Sequence, residues 1–146
     1  MAGVNFALQM DRGFDKLKKA LEAVRASGSY AKAGVLGTGK PRGAGPTNVP
    51  LAAVHEFGSP ARGIPERSFI RSAFAANRQA YLGMLRDVVR SVYQLKGGLE
   101  PGLGRIGLRM AADIKRGITS GPGIPPPLAP ETVARKGSDR PLGDTG

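Results

Sequence analysis

The sequence predicts an α+β fold: a small β-sheet packed against a long amphipathic helix and a helical hairpin, with a glycine-rich loop and an extended proline-rich C-terminal arm. Three observations predict it. Ile70, Phe74, Tyr81, Leu85, Val88, Val92 and Leu95 recur at steps of three, four or seven, the period of one helix face. Two short stretches, residues 4–10 (VNFALQM) and 30–36 (YAKAGVL), alternate in the manner of strands. Glycine and proline, 22 and 12 of the 146 residues, gather in two places. The expected organisation is a single α+β domain over 1–120, with a flexible loop at 37–47, and an arm over 121–146.

The elements follow in order. Residues 4–10 place Val4, Phe6 and Leu8 on one side of a first strand. Asp11 is positioned to cap a helix on which Phe14, Leu17, Leu21 and Val24 form the apolar stripe, ending before Gly28. Residues 30–36 read as a second strand. The run GTGKPRGAGPT (37–47) has no apolar anchor to offset its ordering entropy and reads as a mobile loop. Asn48 is a candidate cap for a short helix stopped by Gly58. The long helix is expected from Pro65 to about Leu95. Gly97-Gly98 breaks it, and Leu103, Ile106, Met110 and Ile114 continue as the second arm of an antiparallel hairpin. Beyond Gly121, six prolines and few apolar residues predict an extended arm that docks on something else.

Composition narrows the function. The net charge is +11, from 22 Lys+Arg against 11 Asp+Glu. The pI near 10.7 is in the range of nucleic-acid-binding domains, or of proteins with acidic partners. There is no cysteine, so disulfides and thiol chemistry are excluded. No stretch has the length of a membrane span, and the N-terminal region lacks the pattern of a secretory signal. By helical projection Arg67, Arg71, Arg78, Arg86, Arg90 and Lys96 share a sector of about 140° on the long helix, with Glu66 and Asp87 turned toward the apolar side. That basic face is the candidate surface for DNA or an acidic partner, against the plainer reading of a solvated helix face. Few aromatics accompany it, which argues against base stacking.

Catalytic motifs are weak. Gly34 to Lys40 approaches the phosphate-loop spacing, but Pro41 stands where the hydroxyl residue would hold magnesium. His55 is the only histidine, and neither a metal set nor a triad forms around it by spacing. No cofactor, metal site or small-molecule substrate is expected, and the chain reads as a non-enzyme. His55, Glu56, Phe57, Pro65, Phe69, Pro126, Pro127 and Leu128 are the candidate subunit-interface residues; Phe57, Pro65 and Phe69 also read as a staple joining the loop to the helix start.

Two segments carry a family resemblance. VHEFGSPARGIPERSFIRSAF (54–74) has an HEFG…IP-x-R-x-F pattern before a long helix, and PPPLAPETVARKGSDRPLGDTG (125–146) has Pro-Pro-Leu-x-Pro-x-Thr, Lys-Gly-Ser and Pro-Leu-x-Asp-Thr-Gly in that order. Together they resemble the neck, tail-completion or virion-morphogenesis proteins of long-tailed double-stranded-DNA bacteriophages and prophages. The match covers roughly two fifths of the chain; the middle helices match only in character. In that family an apolar segment follows Asp-Thr-Gly, whereas this sequence stops at Gly146, so a strand built from it is not carried over.

The resemblance implies a structural head–tail connector at the head-proximal end of the tail. It would be a homo-oligomeric ring, hexameric or alternatively dodecameric, with other neck and tail proteins as partners and the genome passing non-specifically through its bore. The expected location is the virion, with assembly in the host cytoplasm and no membrane partner. The alternative is a free-standing, non-specific basic nucleic-acid-binding protein.

Overall fold

The computed structural model describes residues 4–37, 47–119 and 123–142, with backbone alone over 4–13. Among the described residues there are five α-helices: α1 (Val4–Ser27), α2 (Asn48–Phe57), α3 (Ile70–Tyr93), α4 (Leu99–Thr119) and α5 (Pro130–Lys136), with a single 3₁₀ turn at Pro60–Arg62. They contain no β-strand, and the one pairing is an isolated antiparallel bridge between Ser59 and Ile64. The expected α+β fold with its small sheet is therefore corrected to a helical architecture. Most of the segment expected to be a mobile loop, 38–46, lies outside the described residues.

Both expected strands have other fates. Residues 4–10 are the first turns of α1, so Asp11 lies inside that helix and does not cap it. Seven residues rarely separate period 2 from period 3.6, and Ala, Leu, Gln and Met are strong helix formers. Residues 30–36 are irregular. Gly28 turns the chain out of α1 at φ 55, and Gly34 sits at φ 153, a region that disfavours side chains. Residue 31 lies against α4 instead, where Gly107 leaves only 3.5 Å between a notional Cβ and Ala31 Cβ.

The chain divides into two compact bodies. The first comprises Met1–Lys32 and Ala80–Gly107. Its buried apolar residues are Tyr81, Val88 and Val92 from α3 and Ile106 from α4. Each contributes about 1.5–3 kcal/mol by burial. Gly102 makes the α3–α4 contact close: a Cβ there would lie 2.5 Å from both Val88 methyl carbons. The turn between the helices is a Schellman closure. Leu95 N–H donates to Val92 O and Lys96 N–H to Ser91 O, both at 3.0 Å. The left-handed position, usually glycine, is held by Leu95 at φ 56. The helix thus ends at Tyr93, ahead of the expected Gly97-Gly98 break.

The second body comprises Ala33–Gln79 and Leu108–Gly146. Its buried side chains are unusually polar: Glu56, Arg67 and Asp113 accompany Phe69 and Ile114. The segment expected as an extended arm carries α5, closed by Gly137 in the left-handed region with its N–H on Val133 O at 2.8 Å. The Pro125–Pro126 peptide is cis.

Candidate functional site

The site grows from the end of α2. Gly58 stops that helix at φ 72, and a Cβ there would meet Glu66 N at 2.8 Å and Ile64 O at 3.0 Å. Only glycine allows the 59–69 loop to fold back this closely. The loop is pinned by reciprocal bonds between Ser59 and Ile64, 2.8 and 3.0 Å, and by Arg67 N–H donating to His55 O at 2.7 Å. Residues 65–69 are irregular and tied to the end of α2 by that last bond, and α3 begins at Ile70 rather than at Pro65.

Glu56 is the centre of the arrangement, 3% exposed. Its Oε2 accepts Ile70 N–H at 2.9 Å, and its Oε1 accepts Arg71 N–H at 3.0 Å, Arg71 Nε at 3.0 Å and Ser68 Oγ–H at 2.9 Å. Glu56 therefore caps α3 from another helix and sets a negative charge on its positive end. Burial alone would raise this carboxyl, but the Ile70 and Arg71 amides, the Ser68 hydroxyl and the Arg71 guanidinium outweigh it and hold it below its ordinary value. Arg71 also donates Nη2 to Glu56 O at 2.9 Å and to Glu66 Oε1 at 2.7 Å, and its guanidinium lies 5.0 Å from the Phe57 ring centre. The bond to Glu56 raises Arg71 above its usual range.

Arg67 joins the two resemblance segments. It is 7% exposed, and it donates Nε to Pro126 O at 3.0 Å and Nη2 to Pro127 O at 3.2 Å. A rigid guanidinium fork suits two adjacent carbonyl oxygens that no proline amide competes for. His55 lies beside it with a buried Nδ1 that has no hydrogen-bond partner. Burial, then the charges of Arg67 and Lys136, push His55 below its ordinary 6.5. Lys136 itself donates Nζ to Arg140 O at 2.6 Å, closing the end of α5.

The structure thus brings together His55, Glu56, Phe57, Phe69, Pro126 and Pro127 with Arg67 and Arg71. Pro65 is exposed at the edge of the loop, and Leu128 is half-buried beside Pro127. The predicted six-residue basic face is not one surface. Arg67 precedes the helix and is buried, and Arg71 is engaged by two carboxylates. Arg90 pairs with Asp87 at 3.8 Å and Arg71 with Glu66 at 2.7 Å, so the two acids expected to turn toward the apolar side serve the basic residues instead. Arg78, Arg86 and Lys96 are exposed.

Sequence reasoning missed one charged cluster. Asp113 on α4 is buried and bonds Arg109 Nε at 2.9 Å and Arg116 Nη1 at 3.3 Å. The signal was present, as arginines stand four residues before and three residues after this aspartate.

Chemically the arrangement holds backbone to backbone through ionised side chains. Among the described residues, no group of three or more His, Asp or Glu is placed to hold a metal ion, and no helix is long and apolar enough to cross a membrane. No family model, no curated protein and no solved structure matches the chain.

Proposed function

We propose that the chain is a structural subunit of a bacteriophage neck, a connector or tail-completion protein that forms a homo-oligomeric ring through which DNA passes. The observation that carries this is the Arg67 bridge. The two segments that resemble the neck family lie some sixty residues apart, and they are bound to each other by Arg67 on the Pro126 and Pro127 carbonyls. This gives a physical reason for the two patterns to occur in one chain. The HEFG and Pro-Glu-Arg-Ser-Phe residues act as mutual supports: a cap, a cation over a ring, a glycine turn and a guanidinium latch. Those contacts hold the two segments to each other within one chain.

In this reading the work is done by binding copies of the chain and other neck and tail proteins within the virion, after assembly in the host cytoplasm. The ring is six-fold, with twelve as the alternative. Exposed Arg78, Arg86 and Lys96 tolerate or contact the passing genome without reading its sequence.

Sedimentation at high salt without DNA tests the proposal. A defined ring is expected. A monomer or dimer that assembles only on DNA would favour the second reading, a non-specific nucleic-acid-binding protein, which the +11 charge and those three exposed cations support.

A further inference from the structure

Residues 123–142 are held lightly within the second body. None of them is fully buried, those of α5 included. Several of their bonds are internal: Gly137 N–H onto Val133 O, and Lys136 Nζ onto Arg140 O and Pro141 O. The Arg67 fork on the Pro126 and Pro127 carbonyls, at 3.0 and 3.2 Å, joins them to the 65–69 segment. A segment with little buried apolar surface opens locally, ahead of the whole fold. Arg67 is thus the clasp. Its backbone is fixed by His55, whose O accepts the Arg67 N–H at 2.7 Å.

The His55 ring is poorly placed to carry a charge. Its Nδ1 is buried and has no hydrogen-bond partner. A neutral imidazole tolerates this when Nδ1 holds the lone pair, since one unfilled acceptor is all it loses. The protonated ring donates from both nitrogens, so Nδ1 becomes a charged, buried N–H with nothing to receive it. The charges that act on the ring oppose it too: Arg67 from the 65–69 segment and Lys136 from α5 are both cations. Glu56, its neighbour in α2, has its carboxylate committed to Ser68, Ile70 and Arg71. Departure of residues 123–142 removes Lys136 and frees the Arg67 side chain to turn toward water. One motion relieves both repulsions.

We propose that His55 is an acid-sensitive release for residues 123–142: protonation of its imidazole, beside Arg67 and Lys136, opens the clasp on the Pro126 and Pro127 carbonyls and sets the segment loose. By linkage, the closed form binds the proton less well than the open form, in which His55 has its ordinary value of 6.5. Above that pH the segment stays closed, and below it the proton favours the open form. For a single site the gain in open population one pH unit below 6.5 has a ceiling of about tenfold. The switch needs no second chain, so it stands or falls apart from ring formation.

Cleavage after Glu131, in α5, reads the open population. The full chain is digested with a glutamyl endopeptidase at about pH 7.5 and about pH 5.5, on either side of the histidine range. Each rate, followed by mass spectrometry, is divided by that of a synthetic peptide spanning the same bond at the same pH. The normalised rate at Glu131 should rise several-fold in acid, within the ceiling of about tenfold, while that at Glu100 in the first body stays level. His55→Gln should abolish the rise. Lys136→Gln should shrink it, since one opposing cation is gone. His55 is the only histidine, so its imidazole proton signals report its titration without any substitution, and a midpoint below 6.5 is expected in the full chain. That titration decides the matter if His55→Gln loses helicity. A normalised rate at Glu131 independent of pH, an equal rise in a folded His55→Gln, a parallel rise at Glu100, or a His55 midpoint at or above 6.5 would overturn the inference.

Discussion

Replacing Glu56 by alanine is the sharpest probe of the fold. The carboxylate is 3% exposed and accepts four bonds from Ser68, Ile70 and Arg71. Loss of a helix cap costs about 1–2 kcal/mol. Each buried donor left without a partner adds about 1–3 kcal/mol, but Arg71 is exposed and water can replace its share. The contributions are not additive within one network. The expected loss for Glu56→Ala is therefore about 3 kcal/mol. Glu56→Gln, which keeps one acceptor oxygen, should lose about half of that.

Urea unfolding followed by far-ultraviolet circular dichroism measures both variants. With slopes of about 1–3 kcal/mol/M, the alanine variant should shift its midpoint by roughly 1–3 M with the slope unchanged. Arg71→Ala should cost less than Glu56→Ala, because three of the four bonds to the carboxylate are made by other groups or by the Arg71 backbone. A loss below about 1 kcal/mol for Glu56→Ala would mean that solvent caps α3 and that the glutamate is incidental.

Other outcomes follow from the same geometry. Gly102→Ala should destabilise by about 1–3 kcal/mol, because its Cβ meets the Val88 methyls, and the added substitution Val88→Ala should recover part of the loss in the same unfolding assay. Arg67→Lys removes the fork from the Pro126 and Pro127 carbonyls; trypsin cleavage after Arg135 and Lys136 should then accelerate several-fold, seen by mass spectrometry, while Arg78→Ala leaves that rate unchanged. Stability should fall in acid in two steps. His55 has a folded-state value below its ordinary 6.5, so the unfolded chain binds its proton first and stability declines once pH drops below about 6.5. Glu56 is also depressed, so its contribution is present above its ordinary 4.5 and is lost as pH falls further, through its folded value. Unfolding midpoints across pH, with His55→Gln flattening only the upper step, check the assignment.

Residue order was enough to read the helical periodicity of α3 and α4, an interruption between them, the stop at Gly58 and the basic charge, though not that Leu95 rather than the glycine pair closes α3. Those properties live in local spacing, backbone freedom and composition, which need no knowledge of neighbours. It also marked residues 54–74 and 125–146 as the informative segments. Tertiary structure alone decided that no described segment forms a strand. A strand requires a partner ladder, and residues 4–10 instead continue a helix that their seven-residue pattern could not distinguish. Tertiary structure also decided what the charged residues do. A helical projection treats Arg67, Arg71 and Arg78 alike, but only the fold-back of the 59–69 loop shows that the first is buried on two proline carbonyls and the second tied to Glu56 and Glu66. Their roles depend on groups up to sixty residues away, and periodicity along one helix carries no information about them.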